Sequence, residues 1–201
     1  MNLVECLFNE KGVMEMNSRT IYIVLTNTNT MLSRAIRYYT RSTYNHISIA
    51  FDSELQEMYS FGRKQMYNPF IGGFVKENTT HKLLQKAQCL IYSVEVSEEQ
   101  YYTMREKIRY FEQNAPHYRY NFIGLFGVAF NIEIERKNAY FCSQFVATVF
   151  EEGGSRLFKV KPLFVQPQHF CHVPSFKREY CGTIEAYLKG LRTAKKTQCI
   201  A

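Results

Sequence analysis

Tryptophan is absent from these 201 residues, aspartate occurs once, as Asp52, and proline and glycine are sparse at 5 and 10. A lone aspartate argues against a two-ion carboxylate metal site, because hard cations need several acidic oxygens. With no Pro/Gly/Ser-rich linker and no internal repeat, the chain reads as one domain over 1–201, and repeat architectures are excluded. The longest apolar run, FIGLFGVAF from Phe122 to Phe130, is nine residues. That is roughly half of what a bilayer span needs. The opening MNLVECLFNEKGVMEM carries Glu5 and Glu10 and lacks the basic start and apolar centre of an export signal, so a cytoplasmic protein is expected. No C-x-x-C pair occurs. The six cysteines lie far apart and are expected as reduced thiols rather than a disulfide framework or a zinc site. HFCH, His169 to His172, offers too few ligands for a tetrahedral metal site, and Gly62, Gly72 and Gly73 do not make a phosphate loop. No metal and no cofactor are expected.

What is present is a hydrophobic content of 46% with 15% aromatics, enough for one core of ordinary size. The net charge of +7 is scattered, with only Lys195 and Lys196 forming a run near the end. Scattered charge serves solubility, so nucleic acid is disfavoured as a partner, whereas peripheral contact with lipid is electrostatically permitted. The oligomeric state is not written in the sequence. Residues 1–18 have no strong periodicity and read as a dispensable extension, with Met14 and Met16 as alternative starts.

Along the chain, Thr20 to Thr26 is β-branched and aromatic enough for a buried strand, and Met31 to Thr40 fits a short helix. HISIAFD alternates, with His46, Ser48, Ala50 and Asp52 on one face and Ile47, Ile49 and Phe51 on the other. After a turn near Ser53 and Glu54, LQEMYSF is the returning strand of a hairpin. NPFIGGFV, Asn68 to Val75, has the Pro and paired Gly of an irregular loop. Cys89 to Val96 is the next strand, and Ser97 caps a helix with Glu98 and Glu99 in its first turn, which stops before Pro116. The segment from Phe122 is a helix or a buried loop. Tyr140 to Gly154 has the spacing of a buried helix closed by two glycines.

Cys142 opens that last helix. Unpaired N–H groups and the positive end of the macrodipole favour a thiolate there, and the same amides suit a tetrahedral oxyanion. His46 is the natural partner: the small residues Ser48 and Ala50 on its face leave room for a helix to bring a sulfur within reach of the imidazole. A lone cysteine on an apolar helix is more often a core residue, so the weight rests on the joint pattern of YNHISIA on a strand and YFCSQFV opening a helix.

Those two motifs resemble the circularly permuted papain-like group of the NlpC-type peptidase superfamily, in which the histidine strand precedes the cysteine helix. Tyr44, Asn45 and His46 match the first motif, and Cys142, Ser143, Phe145 and Val146 the second, across most of the chain. The resemblance implies an α+β, permuted papain-like fold, a mostly antiparallel sheet packed against a helix with the cysteine at its N-terminus. It also implies thiol-dependent hydrolysis or transfer at an amide or ester, with Cys142 as nucleophile and His46 as general base. The expected substrate is a small peptide or amino-acid derivative, such as cell-wall material. The alternatives are an acyltransferase or lipid hydrolase, as in relatives of lecithin:retinol acyltransferase, and a non-catalytic binding relative.

Gln144 stands where many members have glutamate. The residue that orients the imidazole falls by spacing near Met58, Tyr59 and Ser60, with Glu57 the nearest carboxylate. One hairpin register sets Glu57 and Tyr59 on the face of His46, and the other sets Ser60 and Met58 there, so Ser60 and Glu57 are both candidates. Asp52 shares that face or ends the strand as a turn residue. Tyr44, Arg63 and Ser143 are the candidate substrate-binding residues, with Arg63 and Lys64 suited to a carboxylate or phosphate.

Overall fold

The computed structural model describes residues 17–27, 43–64, 71–121 and 136–198. The helix expected over Met31 to Thr40 and the apolar run Phe122 to Phe130 lie outside the described residues, as do Cys6 and Cys199.

Strand β1, Ser18–Asn27, is the spine of the sheet, and its alternation feeds two cores. Ile21, Ile23 and Leu25 join a larger apolar cluster, and Val24 a smaller one. Strand β2, His46–Ala50, runs antiparallel to it with Thr26 opposite His46. Strand β3, Met58–Arg63, returns along β2, and β4, Gly72–Lys76, along β3. A short helix α1, Lys82–Gln85, leads to β5, Gln88–Ser97, which takes the free side of β1. Helix α2, Glu98–Gln113, follows, then the two-residue strands β6, Arg119–Tyr120, and β7, Ala139–Tyr140, which pair in parallel. Helix α3 is Cys142–Glu152, β8 is Lys177–Thr183, and α4 is Ile184–Gln198. The main sheet runs β4-β3-β2-β1-β5-β8 with every neighbour antiparallel. The protein is therefore α+β, a mostly antiparallel sheet packed with helices. None of the described helices is long and apolar enough to cross a membrane.

The two faces of the sheet hold different helices. Met104, Ile108 and Phe111 of α2 and Phe145, Val146 and Val149 of α3 fill the larger cluster, while Leu84 of α1 and Ile184 and Tyr187 of α4 fill the smaller. Helix α2 begins where Ser97 forms a capping box: Ser97 Oγ accepts from Gln100 N–H at 3.2 Å, and Gln100 Oε1 accepts from Ser97 N–H at 3.0 Å. Aromatic rings stand in for the missing tryptophan. Phe145, one turn past Cys142, has its ring centroid 5.2 Å from those of both Phe61 and Phe111, which fixes the start of α3 against β3 and α2.

Three boundaries differ from the sequence reading. The returning hairpin strand starts at Met58 rather than Leu55, because Leu55 takes a left-handed backbone (φ 57°) inside the turn. Asp52 organises that turn, accepting from the N–H groups of Gln56 and Glu57 at 3.0 and 2.7 Å. The stretch read as a Gly-Gly loop contains β4. Its glycines make room for a neighbour rather than a bend, since a Cβ on Gly72 would lie 2.7 Å from Tyr120 Cβ and one on Gly73 would lie 2.6 Å from the Tyr118 carbonyl oxygen. At the start of the chain, Asn17 O accepts from Glu98 N–H at 3.2 Å and Ser18 Oγ donates to Glu95 at 2.9 Å. Asn17 and Ser18, within the stretch read as an extension, are thus bonded to α2 and β5.

Candidate active site

Helix α3 starts at Cys142, and its N-cap, Phe141, is extended and supplies no side-chain cap to the first-turn amides. Those amides and the positive end of the helix dipole adjoin the sulfur. Cys142 is only 3% exposed. Strand β2 starts at His46, whose imidazole hydrogen-bonds Glu77 and interacts with Cys142. His46 Nε2 lies 2.9 Å from Glu77 Oε1. Glu77 follows β4 and extends its ladder, its N–H donating to Met58 O at 2.8 Å. The same Oε1 accepts from the buried Ser60 hydroxyl at 2.6 Å. A relay thus runs from Ser60 through Glu77 and His46 to Cys142.

Burial disfavours charge on the ring, but the bond to Cys142, then that to Glu77, outweighs it and pushes the His46 pKa up to about 10. Burial pushes the Cys89 thiol up to about 12 and raises that of Cys171.

The register resolves the open choice in the hairpin. Ala50 pairs with Met58 and Ile49 with Tyr59, so Ser60 rather than Glu57 shares the face of His46. Glu57 lies on the other face, where the Arg105 guanidinium grips both its oxygens and lowers its pKa. Ser60 stands one bond removed from the imidazole, behind Glu77. The hydroxyl of Ser143, a candidate substrate contact, is buried and donates to Val165 O at 2.6 Å, which ties α3 to the segment after it. The Tyr44 hydroxyl lies 4.0 Å from Cys181 Sγ on β8, toward the far side of the sheet from β4. Arg63 closes β3 opposite Gly72, and its side chain lies outside the described atoms. Lys64 donates to Ala115 O at 2.9 Å. In the HFCH segment His169 accepts from Gln166 N–H at 3.2 Å, and among the described residues no group of three His, Cys, Asp or Glu side chains is placed to hold a metal.

The reason expected for the close approach of the helix also needs correction. Helix α3 packs in the cluster that contains Ile47 and Ile49, whereas Ala50 belongs to the cluster under α4. His46 and Cys142 are each the first residue of their element. Sequence reading missed Glu77 through the loop assigned to NPFIGGFV. Read as a strand, GGFVKE sets Val75 opposite Ser60, and Glu77, two residues on, falls on the same face.

No protein-family model matches the sequence, and no curated protein is significantly similar to it.

Proposed function

We propose that the protein is a thiol-dependent hydrolase of amide bonds in small peptides or amino-acid derivatives, with Cys142 as nucleophile, His46 as acid and base and Glu77 as the residue that orients and charges the imidazole. The observation that supports this reading is the convergence of Cys142, His46 and Glu77, from a helix start, a strand start and the residue after a strand, with His46 bonded to Glu77 and interacting with Cys142. A permuted papain-like architecture accounts for the order of those elements, with the histidine strand before the cysteine helix.

In this mechanism the thiolate attacks the amide carbonyl carbon, and the uncapped amides at the start of α3 take up charge on the oxygen. The C–N bond breaks as His46 gives its proton to the leaving nitrogen, and a thioester remains on Cys142. Neutral His46, with Nε2–H held by Glu77, then accepts a proton from water at Nδ1 as that water attacks the thioester. The products are a carboxylic acid and an amine, and the thiolate–imidazolium pair returns.

Iodoacetamide at about pH 6, read by mass spectrometry, tests the assignment, because an ordinary thiol is almost wholly protonated there. Cys142 labels first, and His46→Ala slows it by about tenfold or more. Faster labelling of Cys89 or Cys171, with Cys142 inert, overturns the reading.

A further inference from the structure

Two side chains meet a single carboxylate oxygen just after β4. Glu77 Oε1 lies 2.9 Å from His46 Nε2 and accepts from the Ser60 hydroxyl at 2.6 Å. The space over Gly62 shows the same closeness from β3: a Cβ there would lie 3.4 Å from both His46 Cε1 and Ser60 Oγ, and 3.6 Å from Val75 Cγ2. Ser60 and Gly62 are two residues apart and share a face of that strand, so hydroxyl, imidazole and carboxylate are packed as one group. Ser60 is fully buried, and the His46 and Glu77 side chains are 17% and 18% exposed, so water screens their bonds little.

A hydroxyl in this place does what an apolar side chain of its size cannot. Ionised Glu77 has no proton to give, so the hydroxyl donates, and a donated bond favours the charged form of a carboxylate. Burial alone acts in the opposite sense. The charged and titratable groups around Glu77 are already engaged: His46 of β2 faces it, with Cys142 of α3 beyond the ring, Lys76 lies over the Tyr59 ring with Nζ 5.7 Å from the centroid, and Glu57 ahead of β3 is held by Arg105. We propose that Ser60 is a positioning residue that acts through Glu77: its hydroxyl fixes the oxygen opposite the imidazole and keeps that carboxylate ionised in a setting where it would otherwise take up a proton more readily. This rests on the hydrolase reading and deepens it, since Glu77 is the residue assigned there to orient and charge His46.

Ser60→Ala removes the donor, and Ser60→Cys leaves a weaker one. The test follows the side-chain carboxyls of ¹³C-labelled glutamate by NMR against pH, with the Glu77 signal assigned by its loss in Glu77→Gln. In Ser60→Ala the protonation midpoint of Glu77 should lie about one pH unit or more higher than in the parent, with Ser60→Cys between the two. Packing alone would alter the melting temperature and leave that midpoint in place. Ser60→Cys by itself decides the matter should Ser60→Ala fail to fold. Iodoacetamide labelling of Cys142 in the parent keeps the two readings apart. A Glu77 midpoint that stays put in the folded variants overturns the role of Ser60, whatever Cys142 does. A raised midpoint beside an inert Cys142 upholds that role and overturns the hydrolase reading alone.

Discussion

Replacing Glu77 by glutamine keeps the shape of the side chain and removes its charge. In the parent, Glu77 Oε1 takes bonds from His46 Nε2 at 2.9 Å and from Ser60 Oγ at 2.6 Å, with the His46 and Glu77 side chains 17% and 18% exposed. A charge-assisted bond in such a setting contributes about 1.5–3 kcal/mol, and one pKa unit corresponds to about 1.4 kcal/mol. The His46 pKa should therefore fall from about 10 to roughly 8–9 in Glu77→Gln. It stays above the ordinary value of about 6.5 because the bond to Cys142 remains. When Cys142→Ala is added, burial alone is left and the ring should titrate below about 6.5. Proton-detected NMR of ¹³C-labelled histidine against pH measures this, with His46→Gln used to assign the signal. An unchanged His46 titration in a folded Glu77→Gln protein refutes the claim that Glu77 charges the imidazole.

The same shift makes stability depend on pH. The folded pKa of His46 is raised, so its stabilisation is complete below about pH 6.5 and is lost as pH rises through about 10. The Tm gap between parent and Glu77→Gln should thus be about 5 °C near neutrality and should narrow toward pH 10; a gap that widens contradicts the linkage. Glu57→Gln should leave Cys142 labelling unchanged, and, because Glu57 and Arg105 are 37% and 31% exposed, should lower stability by no more than about 1 kcal/mol in denaturant unfolding. A chain beginning at Met16 should keep its Tm within a few degrees, whereas one beginning at Arg19 should lose more, because it gives up the Asn17 and Ser18 bonds to α2 and β5; equal melting of the two would show those bonds to be idle.

What the sequence disclosed was local and periodic. Alternation in HISIAFD assigned Ile47 and Ile49 correctly to one face, and Ser97 followed by Glu98 and Glu99 marked the start of α2. Cys142 is legible because a helix start is written in residues next to one another. Glu77 was not, since its role depends on the register of β3 on β4, and Gly72 and Gly73 imitate a loop while serving the close approach of Tyr118 and Tyr120. Glu57 misled for the complementary reason: it lies near His46 in sequence, and only the tertiary fold delivers Arg105 to it. Strand β8 gave no signal, because KREYCGT is polar and lies mostly exposed at the sheet margin, so it lacks the apolar alternation that marks a half-buried strand.

That marginal strand bears on how the molecule behaves when crowded with copies of itself. An outermost strand offers a row of unsatisfied backbone groups on which a second chain can crystallise as cross-β. Three charged side chains in succession, Lys177, Arg178 and Glu179, stand on β8, and Glu179 is an extra residue in the ladder, where the pairing steps from Ile91–Tyr180 to Tyr92–Arg178. An incoming strand would meet a broken register and would have to strip water from all three charges. This border of the sheet is guarded against self-templating.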